Sequence, residues 1–316
     1  MLGANLPWIE YGGDFGANLW HPAGGITAGG RCARLDETLS HLTACGATAI
    51  RWFMLCDGRS GIRFDADGRP LGVDEHVFVD IDAALRIAAA HRVSVLFTLI
   101  DFTWCAPREV VAGVPIGGRR GVLADSGLRS ALLERVLSPI LERYGRAPSI
   151  MGWDIINEPE WATFGVGAWN PSVSIPPTDM REFVRASADC VHRLTNHPAT
   201  VGLARGASLD LIEGLGLDFY QVHWYDKLEG LEALEGHVTR LADRRPVLLG
   251  EFPTRGTRRT MRGILTMAQQ AGYSGAFFWS ALAEDAASDG QSARADLGAW
   301  VRSSGDAVED ERPALG

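Results

Sequence analysis

No stretch of this 316-residue chain approaches the roughly 20 consecutive apolar residues that crossing a bilayer requires. No basic segment followed by an apolar one opens it, so no secretory signal is visible. That fits a cytoplasmic protein, or a secreted one whose signal has been trimmed. An excess of positive charge is also lacking: 30 Lys and Arg stand against 39 Asp and Glu, a net charge of −9. This argues against a protein whose main task is gripping nucleic acid phosphates or anionic membrane. Cys32, Cys45, Cys56, Cys105 and Cys190 form no CxxC, and no metal-ligand spacing appears among the Cys and His residues. Five cysteines cannot all pair within one chain. They read mainly as reduced core residues, with one disulfide open to a secreted form. There is no internal repeat and no domain linker. No GxGxxG follows the first apolar run, and no Walker A loop occurs.

The composition is that of a soluble globular protein with a large core, 46% hydrophobic and 22% charged. Short, β-branched, apolar runs recur along it. They lie around 16–20 (GANLW), 47–54, 93–100, 150–157, 200–204, 219–224, 247–251 and 275–279. Near-continuous apolar runs suit parallel strands covered on both faces. Segments of helical period fill the intervals. In 74–92, Phe78, Ile81, Leu85 and Ala88 share a face; in 126–144, Leu133, Val136, Ile140 and Tyr144 do so, after a candidate N-cap at Ser126. Gly272 reads as a helix stop. Eight strands alternating with helices allow a closed barrel or an open doubly wound sheet. With neither nucleotide loop present, the reading is α/β: a single-domain (β/α)8 TIM barrel over residues 1–302, with a polar, loose tail over 303–316. A chain of this length suits one such barrel. Residues 62–71 read as a hairpin around Asp67-Gly68. Two further insertions, 101–125 and 159–177, are rich in Gly, Pro and Trp. They follow the C-terminal ends of strands, where barrel active sites are built.

Two apolar strands end in a glutamate: WDIINEP in Glu158 and VLLGEFP in Glu251. Either alone could top a strand and pair with a neighbour. Two on separate strands supply what cleavage of a glycosidic bond needs, one carboxyl to protonate the leaving oxygen and one to meet the oxocarbenium-like centre. Between them QVHWY alternates His223 and Tyr225, so both side chains can point one way. Arg51 lies inside an apolar strand and needs a counter-charge, for which a carboxylate at the barrel mouth is the natural candidate. Trp279 ends the last run, where an indole face can stack on a sugar. Trp20, Trp52, Trp104, Trp161, Trp169 and Trp224 also lie at or just after strand ends; Trp52 and Trp224 read as packing. The run Arg255–Arg259 reads as the solvated start of a helix, although it could meet an acidic sugar.

The ordered set Arg51, Asn157-Glu158-Pro159, His223-x-Tyr225, Glu251 and Trp279 resembles the clan A glycoside hydrolases. It is most similar to glycoside hydrolase family 5, the cellulase and mannanase family, from about Asn18 to Trp279. The resemblance implies retaining hydrolysis of β-linked glucan or mannan-type oligo- and polysaccharides by double displacement. Glu251 would be the nucleophile and Glu158 the acid/base, with their carboxyls about 5–5.5 Å apart. Asn157 would meet the sugar 2-OH, Arg51 and Tyr225 would keep Glu251 ionised, His223 would support the acid/base, and Trp279 would floor the reacting sugar. The family's His near the end of strand three is missing. The sequence there is LIDFTW, and Asp101 or Trp104 stands in reach of that contact; Trp20 is a further substrate-binding candidate. No cofactor and no metal are implied. The implied partner is a carbohydrate, not nucleic acid or membrane, and the chain is expected to be a monomer. Two other readings stay open: an exo-acting β-mannosidase or β-glucosidase of the same clan, and a non-catalytic carbohydrate-binding barrel.

Overall fold

The computed structural model describes residues 1–240 and 245–310, with side chains to 303. Eight parallel strands close into one barrel: β1 Leu2–Asn5, β2 Ala49–Phe53, β3 Ser94–Asp101, β4 Ile150–Asn157, β5 Ala199–Leu203, β6 Tyr220–His223, β7 Val247–Pro253 and β8 Gly275–Trp279. Helices between the strands form the outer layer, including Arg31–Ala44, His76–Ala90, Pro177–Leu194, Leu231–Arg240 and Met261–Ala271. The turn after β5 is instead a short 3-10 helix, Gly206–Leu211. The helix through 126–144 contains a π-turn at Leu133–Leu137. Its N-cap is Asp125 rather than Ser126, because the Asp125 carboxylate accepts from Leu128 N at 2.8 Å. Gly272 ends its helix at φ 88°, as the sequence suggests. The last helix, Gly290–Asp310, runs through the start of the stretch read as a loose tail; 311–316 lie outside the described residues. Among the described residues all five cysteines are free thiols, and no helix is long and apolar enough to cross a membrane.

The barrel interior has two contrasting layers. Ala49, Leu96, Leu248 and Phe277 fill the lower one with apolar side chains. One step up each strand the character reverses, and Arg51, Thr98, Asp154 and Gln221 meet on the axis, all fully buried. Side chains two apart on a strand point to the same face, so a residue choice at one position sets its layer.

The first strand corrects the sequence reading. GANLW at 16–20 is loop, and β1 is Leu2–Asn5, which pairs with both β2 and β8 and so closes the barrel. A four-residue strand carries little periodicity, which is why the longer run was the stronger signal. Closure there is tight. A Cβ on Gly3 would fall 2.6 Å from the Phe277 ring and 2.7 Å from Ala49 O, so only glycine fits.

The long connection after β1 is held by carboxylates. Asp14 accepts from the N–H groups of Ile9 and Glu10 and from Trp52 Nε1. Asp80, buried on the helix His76–Ala90, accepts from Gly16 N, Gly25 N, Thr27 N and Thr27 Oγ1. Removing a carboxylate strands buried donors at about 1–3 kcal/mol each. Two of these donors, Gly16 N and Gly25 N, are buried, so Asp80→Ala should lower stability by about 2–6 kcal/mol, read as a shift in the urea midpoint. A change below about 0.5 kcal/mol would show that the loop is anchored otherwise.

Candidate active site

The strand ends deliver the predicted residues to one cleft of about 580 Å³ at the C-terminal mouth of the barrel. Glu158, Glu251, Asn157, Tyr225, Trp279 and Asp101 all line it. Glu251 is bound on both oxygens, Oε1 by Arg51 Nη1 at 2.6 Å and Oε2 by Tyr225 Oη at 2.9 Å. Glu158 Oε2 accepts from Trp161 Nε1 at 3.0 Å. His223 Nδ1 lies 2.9 Å from Glu158 Oε1 and 3.6 Å from Glu251 Oε2. One oxygen of each glutamate and a His223 nitrogen all lie within 4.8 Å of one another. That closeness suits the retaining geometry of about 5–5.5 Å and not the roughly 6.5–9.5 Å that admits a water for inversion. The same three residues are the one group among those described that could hold a metal ion. The Arg51 guanidinium already neutralises Glu251 within this group, which makes a poor cation site.

Arg51 is the hub beneath the pair. Its guanidinium reaches Asp154 Oδ2 (2.7 Å from Nη2), Glu251 Oε1, Asn157 Oδ1 (2.7 Å) and Asn5 Oδ1 (3.1 Å). Asp154 in turn accepts from Thr98 Oγ1 and Gly202 N. Asn157 donates its amide to Asp101 Oδ2 at 2.7 Å, so its orientation is fixed from both ends. Gly202 makes room for this crowd. A Cβ there would lie 2.4 Å from Gln221 Nε2, 2.8 Å from Arg51 Nη2 and 2.9 Å from His223 Nε2.

Burial shapes the charges. It pushes the Glu158 carboxyl up to about 7, against the pull of Trp161 and Arg51. Burial also raises Glu251, but His223, Arg51 and the Tyr225 hydroxyl oppose it. Burial holds His223 down to about 4, so its ring is neutral at ordinary pH. Asp101 rises to about 6 and the buried Glu160 to about 8, burial being the main cause in each. One carboxyl held protonated near neutrality beside one held by a guanidinium is the division that acid/base and nucleophilic work requires.

Two predicted substrate contacts, Trp104 and Trp20, are displaced from the cleft. Arg51 and His223 are fully buried behind the lining and contact the glutamates, as the sequence reading expects. Trp104 is likewise fully buried, packed edge-on against Phe64, so of the two replacements for the absent His only Asp101 reaches the cleft. Trp20 lies off the cleft, its Nε1 on Ala112 O and its ring beside Arg59, because the run that carried it is loop rather than strand. Trp52 and Trp224 are core, as read. Trp8 and Asp154 were missed. Trp8 stands 6.1 Å from Trp279 in an edge contact and lines the cleft. Placing β1 at LGAN would have put Trp8 just past a strand end. Asp154 is the acid inside an apolar strand that Arg51 required.

The chain is a glycoside hydrolase, and its (β/α)8 barrel with two glutamates at one mouth is similar to the family 5 enzymes of clan A. No family model matches the chain. It is 27% identical to a mannan endo-1,4-beta-mannosidase of Mytilus edulis, over 89% of this chain and 83% of that one. The crystal structure of an endo-1,4-beta-mannanase from Eisenia fetida has the same fold, with a TM-score of 0.76 at 22% identity, covering 96% of this chain and 90% of the other. The beta-mannanase structure from the blue mussel gives 0.76 at 23% identity, over 96% and 92%.

The raised Glu158 carboxyl sets a pH dependence. A general acid works only while protonated, so kcat/KM should hold below about pH 7 and fall as pH rises through it. Glu158→Gln, assayed on an aryl glycoside with a good leaving group, should lose that basic limb. Persistence of the same limb in the variant would assign it to another group.

Proposed function

We propose that the protein is an endo-acting, retaining β-glycoside hydrolase of mannan-type polysaccharides. The observation that supports the reading is that one oxygen of Glu158 and one of Glu251 lie within 4.8 Å of each other, which suits the retaining separation. Glu251 attacks the anomeric carbon. The bond to the leaving oxygen breaks as Glu158 protonates that oxygen. The glycosyl-enzyme ester then yields to water, which Glu158 deprotonates, and Glu251 leaves as carboxylate. Arg51 and Tyr225 hold Glu251 as the anion for the first step and stabilise it again in the second. Asn157, clamped between Arg51 and Asp101, presents its remaining N–H to the sugar 2-OH. Trp279, tethered through Nε1 to Asp285 Oδ2 at 2.8 Å, floors the reacting sugar.

The mannan-type substrate is supported by the names of the relatives above. Endo action is supported by several aromatic residues lining the cleft beside the carboxylate pair. Trp8 lies beside Trp279, and Trp161 and Trp169, 5.9 Å apart, extend the lining past Glu158. Product analysis on β-1,4-mannan and on cellulose tests both points. Internal cleavage of mannan is expected, and release of single terminal sugars alone would mean exo action.

The two glutamates separate by azide rescue. With an activated aryl substrate, Glu158→Ala should yield the β-glycosyl azide and Glu251→Ala the α-azide; the opposite pattern exchanges the roles. Trp279→Ala tests the floor. The ring flattens toward the transition state, so losing the indole should lower kcat about tenfold or more as well as raise KM. Trp169, 70% exposed, should affect mainly KM on long substrates. Full kcat for Trp279→Ala on a short aryl glycoside would make it a packing residue.

A further inference from the structure

One basic group of the cleft has no task in this chemistry. The chain contains a single lysine against 29 arginines. That lysine, Lys227, is exposed and lines the cleft. It stands two residues after Tyr225, on a turn closed by Leu228 N and Glu229 N donating to Tyr225 O. Its acidic neighbours are engaged elsewhere. Asp226 Oδ2 accepts from Arg258 N at 2.8 Å and Thr257 Oγ1 at 3.2 Å. Glu229 shares a hydrogen bond with His237 Nε2 at 3.0 Å and accepts from Gly206 N and Ala207 N. A Cβ on Gly256 would lie 3.6 Å from Lys227 Nζ, so the ammonium rests against the loop after β7. No described carboxylate lies within ion-pair distance of it.

The barrel order places the loop that carries Lys227 relative to the two glutamates. The glutamates stand on β4 and β7. Going round one way between them lie only β5 and β6; the other arc holds β8, β1, β2 and β3. Trp279 and Trp8 stand on the long arc, where the reacting sugar is placed. Lys227 stands on the short arc, across the carboxylate pair. We propose that Lys227 binds hydroxyl oxygens of the sugar on the leaving-group side of the scissile bond, an inference that rests on the retaining-hydrolase reading. An ammonium with three rotatable donors fits the scattered lone pairs of a neutral sugar. A guanidinium fork fits a carboxylate or phosphate better.

The test compares Lys227→Met and Lys227→Arg on a β-1,4-mannotetraose and on an aryl β-mannobioside, which lacks sugars on the leaving side. Lys227→Met should lose at least fivefold more kcat/KM on the tetraose than on the aryl substrate, mainly through KM, with Lys227→Arg in between. Equal losses on both, or no loss, overturn the proposal. A second measurement uses the lone side-chain amine directly. In Glu251→Ala protein, which leaves the saccharide intact, mannotetraose should slow acetylation of Lys227 at least threefold by peptide mass spectrometry. Unchanged Lys227 acetylation overturns the proposal. A wild-type protein inactive on both substrates overturns the hydrolase reading instead, and protection of Lys227 still decides whether the saccharide meets it.

Discussion

A buried guanidinium is the constraint on which the site depends. Arg51 is wholly removed from water on the barrel axis, where an uncompensated charge costs several kcal/mol. Asp154 and Glu251 neutralise it, and Asn5 and Asn157 take the remaining donors. These four partners come from three strands, Asn5 from β1, Asp154 and Asn157 from β4 and Glu251 from β7, which all converge on β2. The ion cluster therefore ties the closing strand to the two strands that carry the glutamates. It also explains the polar layer above an apolar one. The lower layer supplies burial, and the upper layer places charges at fixed positions beneath the cleft floor.

The same cluster divides labour between two chemically identical side chains. Desolvation alone would raise both carboxyls. Glu251 has the cation and the Tyr225 hydroxyl, whereas Glu158 has one indole N–H and a neutral imidazole. His223 stays neutral because it is buried and faces Arg51 as well as the glutamates. Were it charged, it would pull Glu158 toward the anion and spoil the acid. Burial of His223 is thus part of what keeps Glu158 protonated, a link between packing and function that runs through a residue the substrate never meets.

Much of this was legible in the sequence. Strands β4 and β8 were bounded correctly because long apolar runs end abruptly in Pro or at a polar turn. The two glutamates, Asn157, Tyr225 and Trp279 were found because a barrel presents the last residue of a strand to its mouth. What was not legible has a common cause. β1 is four residues long and rests on pairing to β2 and β8, which periodicity does not record. Missing it displaced Trp8 from the aromatic set and promoted Trp20. Trp104 and Trp161 both follow strand ends, yet Trp104 packs inward against Phe64 while Trp161 turns to Glu158; only the path of the loop decides that. Arg51 announced that a counter-charge existed, and Asp154 lay unremarked within WDIIN.

The backbone at Glu158 shows how firmly the surroundings dictate the site. Its φ is 47° and ψ 52°, a left-handed conformation that costs a non-glycine residue roughly 1–2 kcal/mol. A strand running straight into its loop would carry Glu158 out of the mouth. Here the chain turns sharply at the residue whose carboxyl must face Glu251. Glu158 N donates to Gly202 O at 2.7 Å, Trp161 N donates back to Glu158 O, and Pro159 begins a single 3-10 turn. Those bonds hold the strained residue from both sides. The Trp161 indole, brought over by the same turn, supplies the hydrogen bond to Oε2. Relaxing the strain with glycine would remove the carboxyl itself. The conformation and the side chain are therefore required at the same position for one reason: only that turn aims an acid on β4 at a carboxylate on β7.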